Sequence, residues 1–144
     1  MNLKLSGEEI ERLITLGFGA EQKFFHVEEL RPGFVRIRMP FRKRMLRPGN
    51  VVSGPALFTA ADLAIYAIVL AHVGPELMAV TANLTINFLN KAQPGDIIGE
   101  ATLLKLGRKL AVVEVRLRCG DDPTIVAHVT GSYSLPGKTA QSTA

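Results

Sequence analysis

Cysteine is almost absent from this 144-residue chain, which contains Cys119 alone. One thiol excludes an internal disulfide and leaves no second cysteine for a zinc cluster. The three histidines, His26, His72 and His128, lack the spacing of metal ligands, and no glycine-rich phosphate loop is present. We therefore expect no metal and no resident cofactor, and we expect Cys119 to be a small core residue.

The chain also lacks a strong excess of either charge. The chain has 17 basic and 13 acidic residues, so its net charge is only +4. This excess favours anionic ligands, but a nucleic-acid surface would need more positive charge and interleaved aromatic residues, which Phe41 alone does not supply. Basic residues cluster at positions 42–47 and 105–109. These clusters are either solvated loop charges or contacts to the phosphates of a ligand.

The N-terminus lacks the uninterrupted apolar stretch of a signal peptide. One later stretch, residues 55–73, is apolar and long enough to cross a bilayer. It is the only such stretch, and it is interrupted by Thr59, Asp62, Tyr66 and His72. We therefore interpret it as the core helix of a soluble domain, and expect a cytoplasmic protein without a membrane partner.

Local patterns predict one domain over residues 1–136 and a disordered tail over residues 137–144. Ser6 and Glu9 form a capping box that begins a short amphipathic helix ending at Gly17. A helix is expected from Ser53 or Gly54 to Gly74. Alternation of apolar and polar residues, bounded by Gly- and Pro-containing turns, predicts strands at residues 23–30, 34–39, 80–89, 97–106, 110–119 and 124–134.

These elements predict an α+β fold with an antiparallel sheet, because the turns between successive strands are short. The long helix is apolar nearly all round, so the sheet of about five to six strands must curl about it, or a second subunit must cover its exposed side. In the strand that follows the helix, Ala82, Leu84, Ile86 and Phe88 alternate with polar residues.

An ionised Asp62 within this apolar helix needs an explanation, since burial of an unpaired charge is costly. Phe58, Thr59, Ile65 and Tyr66 share its helical face. Asp62 is either a general base or nucleophile in a partly dry cleft, or a structural acid that caps a loop or bonds Tyr66. The sequence alone leaves both readings open.

The start of the same helix is a second candidate. Its first N–H groups have no partner within the helix and suit an oxyanion, and Gly54 would let a ligand approach closely. The alternative is that Ser53 or Gly54 is a simple cap before Pro55. Gly54 and Asp62 are about 12 Å apart along a helix. They share a substrate only if it lies along the helix, if the start is bent, or if a partner subunit contributes.

Three stretches resemble the hotdog-fold acyl-CoA thioesterases of the phenylacetate-pathway (PaaI-like) family. They are SGPALFTAAD at the helix start, VTANLTINFLNKAQPGD in the next strand and turn, and LKLGRKLAVVEVRL across the following hairpin. The resemblance covers roughly residues 34–135. It implies a hotdog fold, in which a curved antiparallel sheet wraps the long helix, and an active site between the subunits of a homodimer or homotetramer.

By this resemblance, Asp62 is the catalytic acid, and the Gly54 N–H polarises the thioester carbonyl. Thr81 of the other subunit helps to place water. Arg108 and Lys109 lie near the coenzyme A nucleotide. Further substrate contacts are expected from Asn50, Ser53, Phe58 and Tyr66.

The chain departs from the family pattern at three positions. Ser53 replaces a histidine, Pro55 replaces the second glycine, and Arg47 stands where the family has an asparagine, with Asn50 nearby but out of register.

The resemblance implies hydrolysis of an acyl-CoA to a free acid and coenzyme A, without any cofactor beyond the coenzyme A of the substrate. One alternative is a hotdog protein that binds acyl-CoA without turnover. A hotdog hydratase is a weaker alternative, because such enzymes pair an acid with a histidine, and His72 lies about 80° around the helix from Asp62.

Overall fold

The computed structural model describes residues 2–75 and 79–136, so the expected tail at 137–144 lies outside the described residues. These described residues form two helices, eight strands and a short 3-10 turn at Lys43–Met45. The elements are α1 (Gly7–Gly17), β1 (His26–Arg31), β2 (Phe34–Met39), β3 (Leu46–Arg47), β4 (Val51–Val52), α2 (Gly54–Val73), β5 (Val80–Phe88), β6 (Ile97–Leu106), β7 (Leu110–Cys119) and β8 (Ala127–Ser134).

Six strands form one curved antiparallel sheet in the order β1-β2-β6-β7-β8-β5. The hairpin β6–β7 is central, and β5 occupies one edge, where it pairs only with β8 among the described strands. The sheet packs around α2, which is the hotdog arrangement implied by the resemblance. The predicted fold class is therefore confirmed.

Helix α2 begins and ends where its capping residues predict. Ser53 is the N-cap, Pro55 lies in the first turn, and Gly74 ends the helix with a φ of 94°, a left-handed conformation that suits glycine. Among the described residues, this is the one helix long and apolar enough to span a membrane. However, 72% of its most apolar window is buried in the fold. It is the core helix of the domain.

Helix α1 closes one side of the core. The predicted capping box forms, because Ser6 Oγ accepts from Glu9 N at 3.2 Å and Glu9 Oε1 accepts from Ser6 N at 3.0 Å. Ile10 and Ile14 on its inner face are fully buried. This helix contacts β1 and α2. It thus covers part of the helix surface that the sheet leaves open.

Two glycines allow the sheet to approach α2 closely. A Cβ at Gly99 of β6 would lie 3.2 Å from Leu117 Cδ2 and 3.5 Å from Ala64 Cβ. A Cβ at Gly131 of β8 would lie 2.6 Å from Ile65 Cδ1. Since Ile65 is fully buried, its side chain has little room to withdraw.

The structure corrects three details of the sequence interpretation. β1 begins at His26 rather than at residue 23, and β8 begins at Ala127 rather than at residue 124. The basic segment predicted as a loop contains the 3-10 turn and the β3–β4 ribbon. Backbone bonds from Val52 N to Ala92 O (2.7 Å) and from Ser53 N to Met45 O (2.7 Å) tie this ribbon to the rest of the fold and fix the start of α2.

Replacing Gly131 with valine should overpack the contact between β8 and α2. We expect Gly131→Val to lower the free energy of unfolding by about 2–3 kcal/mol, measured by urea denaturation. Thr130→Val is the matched control, since Thr130 is the preceding residue and its side chain is exposed. It should change stability by less than about 0.5 kcal/mol. Equal effects of the two variants would contradict the close approach.

Candidate active site

Asp62 lies half-buried on α2, opposite the first residues of β5. Thr81 Oγ1 donates to Asp62 Oδ1 at 3.0 Å, and the Tyr133 hydroxyl donates to the same oxygen at 3.1 Å. Within residues 2–75 and 79–136, no donor reaches Oδ2. The carboxylate is therefore held in one orientation by Oδ1, while Oδ2 remains available in a cleft of about 350 Å³.

A β-bulge brings Thr81 to the acid. Residues of β5 and β8 that pair directly share a face, and Leu84, Ile86 and Phe88 pair with core-facing residues of β8. The register shifts between Thr81 and Asn83, so Thr81 pairs with buried Tyr133. Strict alternation along β5 would place Ala82 on the core-facing side of the strand and Thr81 on the outer side. The extra residue reverses that assignment, as bulges next to functional sites commonly do.

The resemblance implied that Thr81 of the other subunit helps to place water, and that role stays a prediction. In this structure, Thr81 contacts the Asp62 carboxylate of its own chain. The reason is topological: β5 follows α2 and pairs with β8 at the sheet edge, so its first residues lie beside the middle of the helix. The acid and its hydroxyl partners form one unit.

Tyr133 is a neutral donor in this unit. Its side chain is only 4% exposed, and burial raises the pKa of its phenol well above the usual range, with a further rise caused by the neighbouring Asp62 carboxylate. The ring of Tyr66 stacks on that of Tyr133 with centroids 5.7 Å apart. Tyr66, predicted to bind substrate, therefore forms one wall of the Asp62 cleft.

The start of α2 presents one unused N–H. Ala56 N donates to Ser53 Oγ at 3.3 Å, Leu57 N donates to Ser53 O at 3.1 Å, and Pro55 has no N–H. Within the described part of the chain, the Gly54 N–H donates no hydrogen bond. The Ser53 side chain serves as the cap, so the capping interpretation holds for Ser53, and Gly54 alone is left to bind an anionic atom.

Gly54 opens into its own cleft of about 500 Å³. Phe88 covers the glycine so closely that a Cβ there would lie 3.3 Å from Phe88 Cζ. Arg47 and Lys91 also line this cleft, and neither forms an ion pair with the described residues. The cleft thus combines a backbone donor, an aromatic face and two free cations.

Gly54 and Asp62 line different clefts of the same chain. They are eight residues apart on a continuous helix, or about 12 Å. The continuous helix removes the possibility of a bent start. The remaining options are a substrate that lies along the helix surface and a site shared between two copies.

The other predicted contacts are scattered. Ser53 lines a third cleft of about 390 Å³ together with Arg42 and Arg44. Asn50 lies exposed in the β3–β4 turn with a left-handed φ of 58°. Phe58 is 42% exposed on the α2 surface.

The β6–β7 turn carries Arg108 and Lys109, whose side chains are exposed. Leu135 N donates to Lys109 O at 2.8 Å, which ties this turn to the end of β8 next to Tyr133. Neither residue lines the Asp62 cleft or the Gly54 cleft. Their predicted role stays a prediction.

Sequence reasoning missed Tyr133, Phe88 as the cover of Gly54, and Arg47 as a wall of that cleft. Tyr133 and Phe88 are far from their partners in the chain, so only strand pairing brings them together. Arg47 had a signal, because it occupies the position where the family has an asparagine.

Cys119 and His72, two other groups that could carry chemistry, have structural roles. Burial raises the pKa of the Cys119 thiol to about 11. His72 is buried, with Nδ1 donating to Ile68 O at 2.8 Å and Nε2 accepting from Gly33 N at 3.0 Å. In residues 2–75 and 79–136, no group of three His, Cys, Asp or Glu side chains is placed to hold a metal ion.

The raised pKa of Tyr133 predicts an alkaline loss of stability. Folding holds this phenol neutral, so its contribution is complete below the pKa of an unfolded tyrosine, about 10, and is lost as the pH rises above it. We expect Tyr133→Phe to show a smaller fall in unfolding free energy between pH 9 and pH 11 than the wild type. Parallel pH profiles for wild type and Tyr133→Phe would contradict the assignment.

Comparisons with known proteins show similarity to thioesterases and esterases. A structure from Silicibacter sp. TM1040, named "putative thioesterase", is 39% identical, with a TM-score of 0.86 over 94% of this chain and 95% of that one. A "putative esterase" of Saccharolobus solfataricus is 28% identical over 99% of this chain and 88% of its own length. A variant of phenylacetic acid degradation protein PaaI from Thermus thermophilus shares the fold, with a TM-score of 0.68, 20% identity, and coverage of 78% and 93%.

Residues 49–126 match the family model of the Thioesterase superfamily. The matched segment includes Gly54, Asp62 and Thr81, and the structure from Silicibacter extends the similarity over almost the whole chain. The chain belongs to the Thioesterase superfamily.

Proposed function

We propose that the protein hydrolyses acyl-CoA thioesters to a free acid and coenzyme A. The observation that carries the proposal is the Asp62 carboxylate, held by Thr81 and Tyr133 through one oxygen while the other is available in a cleft. Membership of the superfamily supports thioester hydrolysis as the reaction class. The PaaI-like subfamily and coenzyme A as the thiol carrier are parts of the proposal.

In the proposed reaction, Asp62 Oδ2 takes a proton from water as the water oxygen attacks the thioester carbonyl carbon. The negative charge that develops on the carbonyl oxygen is stabilised by a Gly54 N–H and the positive end of α2. The carbon–sulfur bond then breaks, and the thiolate takes up the proton held by Asp62. Alternatively, Asp62 attacks the carbonyl carbon, expels the thiolate and forms an anhydride, which water hydrolyses. The Thr81 hydroxyl helps to orient the attacking water.

Of the two remaining arrangements, we propose that two copies of the chain bring these groups to one substrate. β5 is a nine-residue edge strand, and seven of its nine residues are exposed, which is a template for pairing with another chain. The exposed apolar residues Phe58, Val80 and Phe88 lie on this side of the molecule. Two-fold pairing of β5 edges would set the two α2 helices antiparallel, so that Gly54 of one copy approaches Asp62 of the other. A homodimer is the smallest such assembly, and a homotetramer is a pair of them.

The remaining parts of the proposal concern the substrate and its setting. Asn50, Ser53, Phe58 and Tyr66 contact the acyl and pantetheine parts, and the exposed cations Arg108 and Lys109 meet the phosphates. The reaction needs no metal or other cofactor and takes place in the cytoplasm, without a nucleic acid or a membrane.

Asp62→Asn is the direct test of catalysis. Asparagine keeps the size of the side chain and an acceptor for Thr81 and Tyr133 but cannot take a proton. We expect it to lower kcat/KM at least about 100-fold, measured as thiol release from short, medium and aromatic acyl-CoAs. Asp121→Asn, at an exposed turn acid, should retain full activity. If Asp62→Asn is as fast as wild type, the catalytic role of Asp62 is wrong. If the wild type binds acyl-CoA saturably without turnover, the non-catalytic alternative is favoured.

Mixing two inactive variants tests the shared site. Gly54→Pro removes the N–H, while Gly54→Ala adds a similar Cβ against Phe88 and keeps the N–H, so only the former should lose most activity. In a heterodimer of Asp62→Asn and Gly54→Pro chains, one site carries both defects and the other carries none. We therefore expect mixing with subunit exchange to restore about a quarter of wild-type activity.

The control for the mixing experiment is a pair of variants from the same half of the site. Asp62 and Thr81 come from one chain, so every site in a mixture of Asp62→Asn with Thr81→Val keeps a defect. Mixing should therefore give no more activity than the average of the two separate variants. If the Asp62→Asn and Gly54→Pro mixture also stays inactive after verified exchange, the site lies within one chain.

A further inference from the structure

We propose that the Asp62 cleft is the acyl pocket of this site, that Phe18 at the end of α1 limits the length of the acyl group, and that the pocket selects neutral, apolar acyl groups. The inference rests on the proposed hydrolysis of thioesters and adds the class of acyl group and the residue that determines it.

The walls of the cleft are apolar, although it contains the candidate catalytic acid. Beyond Asp62 and its hydroxyl partners, the lining includes Ala79, Val80 and the stacked ring of Tyr66. Phe18 lies on the far side, contributed by the end of α1. A thioester carbonyl placed at Asp62 therefore has an aromatic and aliphatic surface beside it for the chain attached to that carbonyl.

Phe18 is exposed and yet firmly held. Its side chain is 60% exposed, but its ring stacks on the ring of Phe24, with the two ring centroids 5.8 Å apart. The ring of Phe24 in turn contacts the ring of Phe25, with the centroids 5.4 Å apart. Phe25 is fully buried. The Phe18 N–H donates to Ile14 O at 3.0 Å at the end of α1. The stack on Phe24 and the backbone hydrogen bond favour this position of the ring, in which it forms an end wall of the cleft.

The charge of the cleft determines which acyl groups it accepts. Asp62 is the one ionised side chain among the described residues that line it, and no lysine or arginine of that lining offers a counter-charge. An acyl group with a second carboxylate would enter an apolar pocket beside a like charge, without a cation from the chain that forms the pocket. Neutral acyl groups meet no such penalty.

The length limit is tested with Phe18→Ala on a series of straight-chain acyl-CoAs. Removing the ring should shift the preferred substrate to a longer chain, and should lower kcat/KM for the best wild-type substrate about fivefold through lost contact. Leu16→Ala is the matched control, because Leu16 is 67% exposed on the same helix end and does not line the cleft. It should leave the chain-length profile unchanged.

The charge preference is tested with Phe18→Arg on a matched pair, pentanoyl-CoA and glutaryl-CoA, which differ by a terminal carboxylate. Wild type should strongly prefer pentanoyl-CoA. Phe18→Arg should raise the relative kcat/KM for glutaryl-CoA at least about tenfold, and Leu16→Arg should not.

The outcomes separate the two proposals. If the wild type hydrolyses no thioester, the proposed function fails, and this inference fails with it. If the wild type is active but Phe18→Ala keeps the wild-type length profile, or if wild type prefers glutaryl-CoA, the inference alone is wrong.

Discussion

The structure depends on one constraint: α2 is apolar on all sides and cannot present an ordinary face to water. The sheet curls around most of it, glycines at positions 99 and 131 let the strands approach, and α1 covers another part. Only a narrow strip remains, where Pro55, Phe58 and Thr59 are exposed. Asp62, the only carboxylate of the helix, lies on this strip. Asp62 therefore does not place a charge in the hydrophobic core. It lies on the part of α2 that the sheet and α1 leave uncovered.

Local features of the fold could be predicted well from sequence. The bounds of β2, β6 and β7 are those expected from alternation, and α1 and α2 begin at the predicted caps. These signals work because both alternation and capping act between residues a few positions apart. The long-range result, a sheet wrapped around α2, followed from the absence of a polar helix face together with the short turns between strands.

The site was less predictable because its contacts are not local. Asp62 was identified because it is a carboxylate within an apolar helix, and Gly54 because it lies at the start of that helix. Tyr133, whose hydroxyl bonds Asp62, is 71 residues from Asp62 in the chain and had no local signal. The bulge that brings Thr81 to Asp62 was not predicted, since alternation carries no sign of a bulge. The proposed role of Thr81 rested on family resemblance alone.

The bulge in β5 also bears on how the chemistry of this chain is encoded. The position of Thr81 depends on the number of residues between it and Leu84, and not on any property of Ala82 itself. If the same residues paired without the bulge, composition, hydrophobicity and strand propensity would be unchanged, but Ala82 would oppose Tyr133 and the Thr81 hydroxyl would turn away from the acid to the outer surface. Spacing along the strand thus carries functional information that residue identity does not, and an alignment between relatives that misplaces a single gap would match the hydroxyl to a residue on the opposite face.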